Sequence, residues 1–241
     1  MNPAEKYLKQ LSELTVSRMG FDLSLEEQGS PNWLRARLGC ITASRASDLI
    51  ARDRSGKGPG KSRKTYLRQL VAEVATGQQK EQGSFKQTEH GHEHEATARE
   101  MFAFHVGLPV QQVPFIYGDI SMRYGCSPDG IADENSGVEI KAPYDTAVYL
   151  DFLLDGEIKP EYIDQIQFSM HCANLPYWHM AMHDPRMRKQ SFHAVTLERD
   201  EEKMATFKDA IGQMTFDMDS ELARLGFRFG DQWPVLPAIA A

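Results

Sequence analysis

Two short stretches of the chain place acidic and basic side chains at a spacing that suits hydrolytic chemistry. Asp129 stands between a proline and a glycine, and Glu139 and Lys141 alternate with the apolar residues Val138 and Ile140. Side chains alternate between the two faces of a β-strand, so Glu139 and Lys141 point to one face, roughly 7 Å apart. The nine residues between Asp129 and Glu139 are rich in turn formers and suffice for a hairpin. The pattern therefore predicts that Asp129 lies close to Glu139.

A third carboxylate, Glu95, lies on the apolar stripe of a predicted helix, where an ionised group is costly unless a cation compensates it. If Glu95, Asp129 and Glu139 converge at about 5 Å, each pair repels by roughly 3 kcal/mol at an effective dielectric of about 20. Lys141 alone cannot offset that repulsion. Hard oxygen ligands select Mg²⁺ or Mn²⁺ rather than zinc.

These residue types predict a two-metal site that hydrolyses phosphodiesters, because a pair of ions about 4 Å apart stabilises both the attacking and the leaving oxygen. Asp129 is placed to bridge the two ions. Lys141 is expected to orient or deprotonate the attacking water, with its pKa lowered by the nearby cations.

The elements that must hold these side chains alternate between helices and strands. Helical spacing of apolar residues is found in five stretches, 44–50, 66–77, 88–106, 160–174 and 201–225. Strand character is found in six, 113–117, 122–126, 130–132, 138–141, 177–182 and 192–197. This order predicts an α/β fold, with a central mixed β-sheet flanked by helices. The length of 241 residues predicts a single domain over 1–241, with a flexible C-terminal tail over 234–241.

Composition restricts the classes of protein that the chain can represent. Hydrophobic residues make up 41% and charged residues 25%, and no apolar run is long enough to span a membrane. The first residues lack the apolar centre of a secretory signal, so a cytoplasmic location is expected. The three cysteines are too widely spaced for a disulfide framework or a zinc pattern. The net charge of −7 argues against indiscriminate coating of nucleic acid, although residues 52–68 hold seven basic side chains against one acidic.

Six ordered blocks of the sequence are recognisable: WLRARLGCITAS (33–44), GHEHEATAREMF (91–102), SMRYGCSPDG (121–130), VEIKAP (138–143), HDPRMR (183–188) and GFRFGDQW (226–233). Together they resemble the lambda exonuclease family of viral recombinases, which belongs to the PD-(D/E)xK nuclease superfamily. The resemblance covers most of the chain. It implies a restriction-endonuclease-like core.

The resemblance also implies an activity and a metal site. The implied activity is Mg²⁺-dependent degradation of one strand of duplex DNA from its 5′ end, leaving a 3′ overhang for recombination. By motif, the metal ligands are Glu95, Asp129, Glu139 and the Ile140 carbonyl, and the ions are two Mg²⁺, with Mn²⁺ as a substitute. Lys141 matches the catalytic lysine of the family.

Further residues and partners follow from the same resemblance. Gln165 matches a family position near the active site, and Arg37, Ser44 and Ser127 match a pocket for the terminal 5′-phosphate. A guanidinium suits a phosphate through its two parallel donors. The family resemblance implies a toroidal homotrimer around duplex DNA in the cytoplasm of a phage-infected bacterium, with a single-strand annealing protein as partner. Residues 52–68 are the candidate lining of its channel.

Two other functions remain open on the residues alone. A PD-(D/E)xK endonuclease would use the same carboxylates and lysine on internal phosphodiesters. A noncatalytic protein that binds DNA ends is the second alternative, and a complete set of catalytic side chains disfavours it.

Overall fold

Eight α-helices surround the strands in the part of the chain that the structure describes. The structure is a computed structural model that describes residues 3–79, 85–107 and 109–233, without the side chains of residues 3 and 85–95. The tail over 234–241 lies outside these residues, and its flexibility stays a prediction. The helices are α1 (Pro3–Met19), α2 (Pro31–Ala36), α3 (Ala46–Ile50), α4 (Lys61–Thr76), α5 (Phe85–Val106), α6 (Thr146–Leu150), α7 (Pro160–Ala173) and α8 (Glu201–Leu225).

Five of these helices follow the predicted stretches, and three do not. In α1 the buried residues Ala4, Tyr7, Leu11 and Thr15 recur at helical spacing, but charged side chains interrupt them. The short helices α2 and α6 are defined by their ends rather than by apolar periodicity. Ser30 caps α2 by accepting a hydrogen bond from Trp33 N, and Asp145 caps α6 in the same way.

The strands form two sheets rather than one, as far as the described residues extend. One has the order β1-β3-β2 and the other the order β4-β5-β6-β7. The bounds are β1 (Ile41–Thr42), β2 (Ile116–Tyr117), β3 (Tyr124–Cys126), β4 (Gly130–Ile131), β5 (Ser136–Lys141), β6 (Tyr177–His183) and β7 (Phe192–Glu198). Both sheets are mixed: β5 runs antiparallel to β4 and parallel to β6. The mixed α/β class predicted from the sequence is confirmed.

The four-stranded sheet separates two apolar layers, and its alternation decides which side chains reach the site. Val138 and Ile140 of β5 pack with Ala98 and Phe102 of α5. On the other face, α7 packs against β6, and α8 packs against α7 in a larger core. Glu139 and Lys141 point away from the α5 layer, toward α7, as the period of the strand requires.

A close approach between β5 and β6 depends on a glycine. A Cβ atom on Gly137 would lie 2.5 Å from the ring of Trp178, which is fully buried. The absence of a side chain at Gly137 therefore lets the two strands pair in the register that places Glu139 opposite Met180.

Within the described residues, no helix is both long and apolar enough to cross a membrane.

Candidate active site

A cleft of about 590 Å³ opens where β5 ends, between α7 and the segment that joins α2 to α3. Its lining includes every predicted site residue whose side chain is described: Arg37, Ser44, Ser127, Asp129, Glu139, Ile140, Lys141 and Gln165. These residues come from four separate parts of the chain. Glu95 is the exception, because its side chain lies outside the described residues, and its role stays a prediction. The described residues alone hold no group of three metal-binding side chains.

Glu139 lies at the centre of a buried hydrogen-bond cluster. Its side chain is 3% exposed, and Oε1 accepts from Lys141 Nζ at 2.6 Å and from Gln165 Nε2 at 2.6 Å. Lys141 Nζ also donates to Gln165 Oε1 at 3.2 Å. The other carboxylate oxygen, Oε2, is buried and has no hydrogen-bond partner among the described residues. A buried carboxylate oxygen in this state is costly unless it binds a proton or a cation.

Asp129 is fixed beside Glu139 by the hairpin that the sequence predicted. Gly130 pairs with Val138 across β4 and β5, and Asp129 N donates to the Val138 carbonyl at 3.2 Å. The Asp129 carboxylate accepts from Ile140 N at 2.5 Å. This contact holds the carboxylate against the strand that carries Glu139 and Lys141.

Burial and the charges of the Glu139 and Asp129 carboxylates determine the pKa of the Lys141 ammonium. Burial alone would lower the pKa of its ammonium, but the charges of Glu139 and Asp129 outweigh burial and raise that pKa. The direction is opposite to the one that a base requires. In the protein alone Lys141 is therefore a cation, and a role as base needs bound cations that offset the carboxylates.

Buried donor groups lie elsewhere in the same cleft. The Arg37 guanidinium stacks on the Trp33 ring at 3.9 Å, and its buried Nε has no partner within the described part of the chain. Burial lowers the pKa of Arg37. Ser127 Oγ is also buried and unpaired within that part, whereas Ser44 Oγ lies 3.3 Å from Thr42 Oγ1. An anion that receives hydrogen bonds from these donors would compensate their burial.

The donor set of the cleft fits a hard divalent cation. Glu139 supplies a buried oxygen that no other described residue contacts through a hydrogen bond. The Ile140 carbonyl lies next to it in the chain, and the Asp129 carboxylate lies across the hairpin. Oxygen ligands of this kind are those that Mg²⁺ and Mn²⁺ prefer.

Several lining residues were not among the predicted site residues. The Arg37 guanidinium stacks on the Trp33 ring, and the Tyr162 ring centroid lies 5.1 Å from Lys141 Nζ. Trp33 belongs to one of the six sequence blocks, and Tyr162 lies one helical turn before Gln165. Their closeness in the sequence to predicted site residues was therefore the signal that could have identified them. Arg186 of HDPRMR donates to the carbonyls of Pro143, at 2.8 Å, and Tyr144, at 2.6 Å. It thereby holds the turn that follows β5.

The basic segment 52–68 is divided between the surface and the interior. Arg63 is 7% exposed and pairs with Asp217 of α8 at 2.9 Å. Arg68 pairs with Glu221 of the same helix at 2.6 Å. Arg63 therefore cannot contribute to the lining of a channel, while Arg52, Arg54, Lys57, Lys61 and Lys64 are exposed.

Comparison with solved structures defines the class of the fold. An alkaline exonuclease from Laribacter hongkongensis superposes with a TM-score of 0.73 at 27% identity, over 82% of this chain and 96% of that chain. Its complex with dAMP matches at 28% identity and a TM-score of 0.74, over 81% and 96%. A phage-related exonuclease from Haemophilus somnus 129PT is 14% identical, with a TM-score of 0.65 over 77% of this chain and 96% of that one, and supports the fold alone. The chain has a restriction-endonuclease-like fold, as predicted.

Residues 32–176, more than half of the chain, match the YqaJ-like viral recombinase domain. The chain belongs to that family, which confirms the resemblance inferred from its motifs. The uncharacterized protein ExoD of Escherichia coli K12 is 41% identical over 76 residues, which are 32% of this chain and 87% of that protein.

Proposed function

We propose that this protein is a Mg²⁺-dependent exonuclease that degrades one strand of duplex DNA from its 5′ end. The product is a 3′ single-stranded overhang for recombination. The observation that carries the proposal is that Oε2 of buried Glu139 and the donors of Arg37 and Ser127 lie in one cleft, each without a hydrogen-bond partner as far as the structure describes the chain. The Glu139 oxygen needs a cation, whereas the Arg37 and Ser127 donors need an anion. A DNA end with bound metal ions supplies both. The alkaline exonuclease of Laribacter hongkongensis supports the choice of reaction.

The residues of the cleft divide the work of hydrolysis. Two Mg²⁺ ions would be held by Glu95, Asp129, Glu139 and the Ile140 carbonyl, and they would stabilise charge on the attacking and leaving oxygens. Lys141 Nζ would orient the attacking water or, with its pKa lowered by the bound cations, accept a proton from it. Gln165 contacts both Glu139 and Lys141, and therefore fixes the distance between them.

Recognition of the DNA end is the task of the second group of donors. Arg37, Ser127 and Ser44 bind the terminal 5′-phosphate, which places the adjacent phosphodiester over the carboxylates. The Trp33 ring restricts the Arg37 guanidinium to one plane before DNA arrives, so less side-chain entropy is lost on binding.

In the oligomer that we propose, a homotrimer around the duplex, exposed cations of residues 52–64 face the DNA. A single-strand annealing protein receives the overhang.

The test compares linear and circular duplex DNA in the presence of Mg²⁺. The linear substrate carries one label at its 5′ ends and a different label at its 3′ ends. We expect the 5′ label to be released before the 3′ label, while the covalently closed circle survives. Cutting of the circle would identify an endonuclease. Survival of both substrates, together with a gel shift specific to ends, would identify a noncatalytic binder. Replacement of Mg²⁺ by EDTA should abolish the release of label, and Mn²⁺ should restore it.

A further inference from the structure

Arg99 of α5 contacts the turn that carries Asp129, although its side chain does not line the cleft. Its Nε donates to the main-chain carbonyl of Asp129 at 2.9 Å. The side chain is partly buried, and α5 is the helix that carries Glu95. A direct hydrogen bond therefore joins the backbone of one predicted metal ligand to the helix of another.

The same guanidinium has a second anchor. The Gln112 amide, with its oxygen turned toward Arg99, accepts from both terminal nitrogens at 3.0 and 3.1 Å. The backbone beside Gln112 is itself fixed, because Gln111 exchanges two hydrogen bonds with Ile131 of β4, at 2.8 and 2.9 Å. The three nitrogens of the guanidinium thus join α5 to the turn before β4 and to the segment that pairs with β4.

Helix geometry gives this bridge a consequence for the metal site. Glu95 and Arg99 are four residues apart, about 6 Å along the axis of α5. A shift of Arg99 relative to the Asp129 turn therefore moves the Glu95 backbone by a similar amount. Divalent cations with rigid coordination, Mg²⁺ above all, tolerate little change in the positions of their ligands.

We propose that Arg99 is a positioning residue that sets the separation of Glu95 and Asp129, and through it the affinity for Mg²⁺. This inference rests on the proposed function, since it takes both carboxylates as metal ligands. A lysine at this position could donate to the Asp129 carbonyl but could not also present the planar fork to Gln112. The Arg99→Lys variant therefore separates the geometry of the bridge from its charge.

The experiment measures Mg²⁺ affinity in two ways for the wild-type protein and Arg99→Lys. One is the Mg²⁺ concentration that gives half-maximal cleavage of linear duplex. The other is the rise in Tm that Mg²⁺ causes without DNA, which does not depend on activity. We expect a 10- to 100-fold higher half-saturating concentration in both, the range typical of outer contacts of metal ligands. At saturating Mg²⁺, kcat should return to within about threefold of wild type.

Two further variants make the result specific. Gln112→Ala removes only the outer anchor and should give a smaller shift in the same direction, which keeps the test available if Arg99→Lys does not fold. Arg224→Lys alters an exposed arginine in the last turn of α8, outside the cleft and outside residues 52–68, and should leave Mg²⁺ affinity unchanged. Wild-type Mg²⁺ affinity in a folded Arg99→Lys protein, or lost activity that no Mg²⁺ concentration restores, would overturn the inference. If the wild type bound Mg²⁺ and the variant bound it more weakly, but neither cleaved DNA, the proposed function would fail and the positioning role would stand.

Discussion

At the scale of the residue, the cleft combines groups that are individually unfavourable. Glu139 is a buried carboxylate with one unsatisfied oxygen, and Arg37 is a partly buried cation stacked on an indole ring. Such groups are seldom retained for stability, because burial of an incompletely paired charge costs free energy. They are expected where a ligand completes the site.

Lys141 should be essential for cleavage but not for folding. In Lys141→Ala, we expect turnover of linear duplex to fall by a factor of at least about 100, because the water loses the group that orients or deprotonates it. The variant should still fold and bind DNA, with a lower urea midpoint because buried Glu139 loses its cationic partner. Lys159→Ala, which removes another lysine of the cleft, should lower turnover by less than about tenfold. Near-normal turnover in Lys141→Ala would contradict the assignment.

Arg37 should determine the choice between phosphorylated and unphosphorylated ends. The Arg37→Ala variant should degrade 5′-phosphate and 5′-hydroxyl duplexes at similar rates, because the charge that distinguishes them is gone. The ratio of the two initial rates is the measurement. Arg35→Ala, two residues away and exposed, serves as the matched control and should keep the wild-type ratio. An unchanged ratio in Arg37→Ala would count against the phosphate pocket.

At the scale of the element, β5 and the turn after it hold the site together. The strand places its apolar residues against α5 and its charged residues in the cleft, and the turn is held by Arg186. Arg186 in turn forms two side-chain hydrogen bonds, both 2.8 Å long, with the fully buried Asp184. The pair therefore links the end of β6 to the end of β5.

This pair predicts part of the acid sensitivity of the fold. Burial alone would raise the pKa of Asp184, but hydrogen bonds from Arg186 and its neighbours outweigh it and lower that pKa to about 2. A carboxyl with a lowered pKa stabilises the fold above its ordinary pKa of 3.8, and that contribution is lost as pH falls toward 2. Asp184→Asn should therefore lower the free energy of unfolding at pH 6, and the difference from wild type should shrink toward pH 2. Urea titrations at several pH values measure this difference, and Asp209→Asn on α8 serves as the control. A difference in the free energy of unfolding that does not change with pH would contradict the role of the Asp184 carboxylate.

At the scale of the whole molecule, the negative net charge must be reconciled with a polyanionic substrate. The chain carries −7, yet residues 52–64 present five exposed cations on one segment. A ring of subunits would gather such segments around the DNA while the acidic surface faces outward. The burial of Arg63 against Asp217 reduces the number of cations available for this purpose.

A homotrimer is the expected state in solution. Light scattering on the purified protein should give a mass of three chains, independent of concentration over the micromolar range, because closed rings have no free interface. The same measurement on Arg54→Ala, a change at an exposed position, should give the same mass. A monomer mass in both would leave the cleft intact but would remove the basis for a DNA channel.

Local periodicity along the chain was enough to predict the strand and the hairpin that carry the carboxylates. Alternation over Val138–Lys141 decided which side chains share a face, and the turn formers between Asp129 and Glu139 decided the hairpin, because both follow from the two-residue period of a strand. Helix α8 ends at Leu225, as predicted, because Gly226 adopts the left-handed conformation that terminates a helix. The short helices α2 and α6 were not predicted, because capping residues define them and apolar spacing does not.

Contacts between residues far apart in the chain became known only from the packing of the fold. Gln165 lies 26 positions from Glu139, yet it donates to that carboxylate, and the sequence allowed an ordinary helix-surface glutamine nearly as well. The division of the strands into two sheets, the stacking of Arg37 on Trp33 and the bridge from Arg99 to Asp129 are further examples. Such contacts depend on how whole elements pack across the core, and no spacing along the chain encodes that packing.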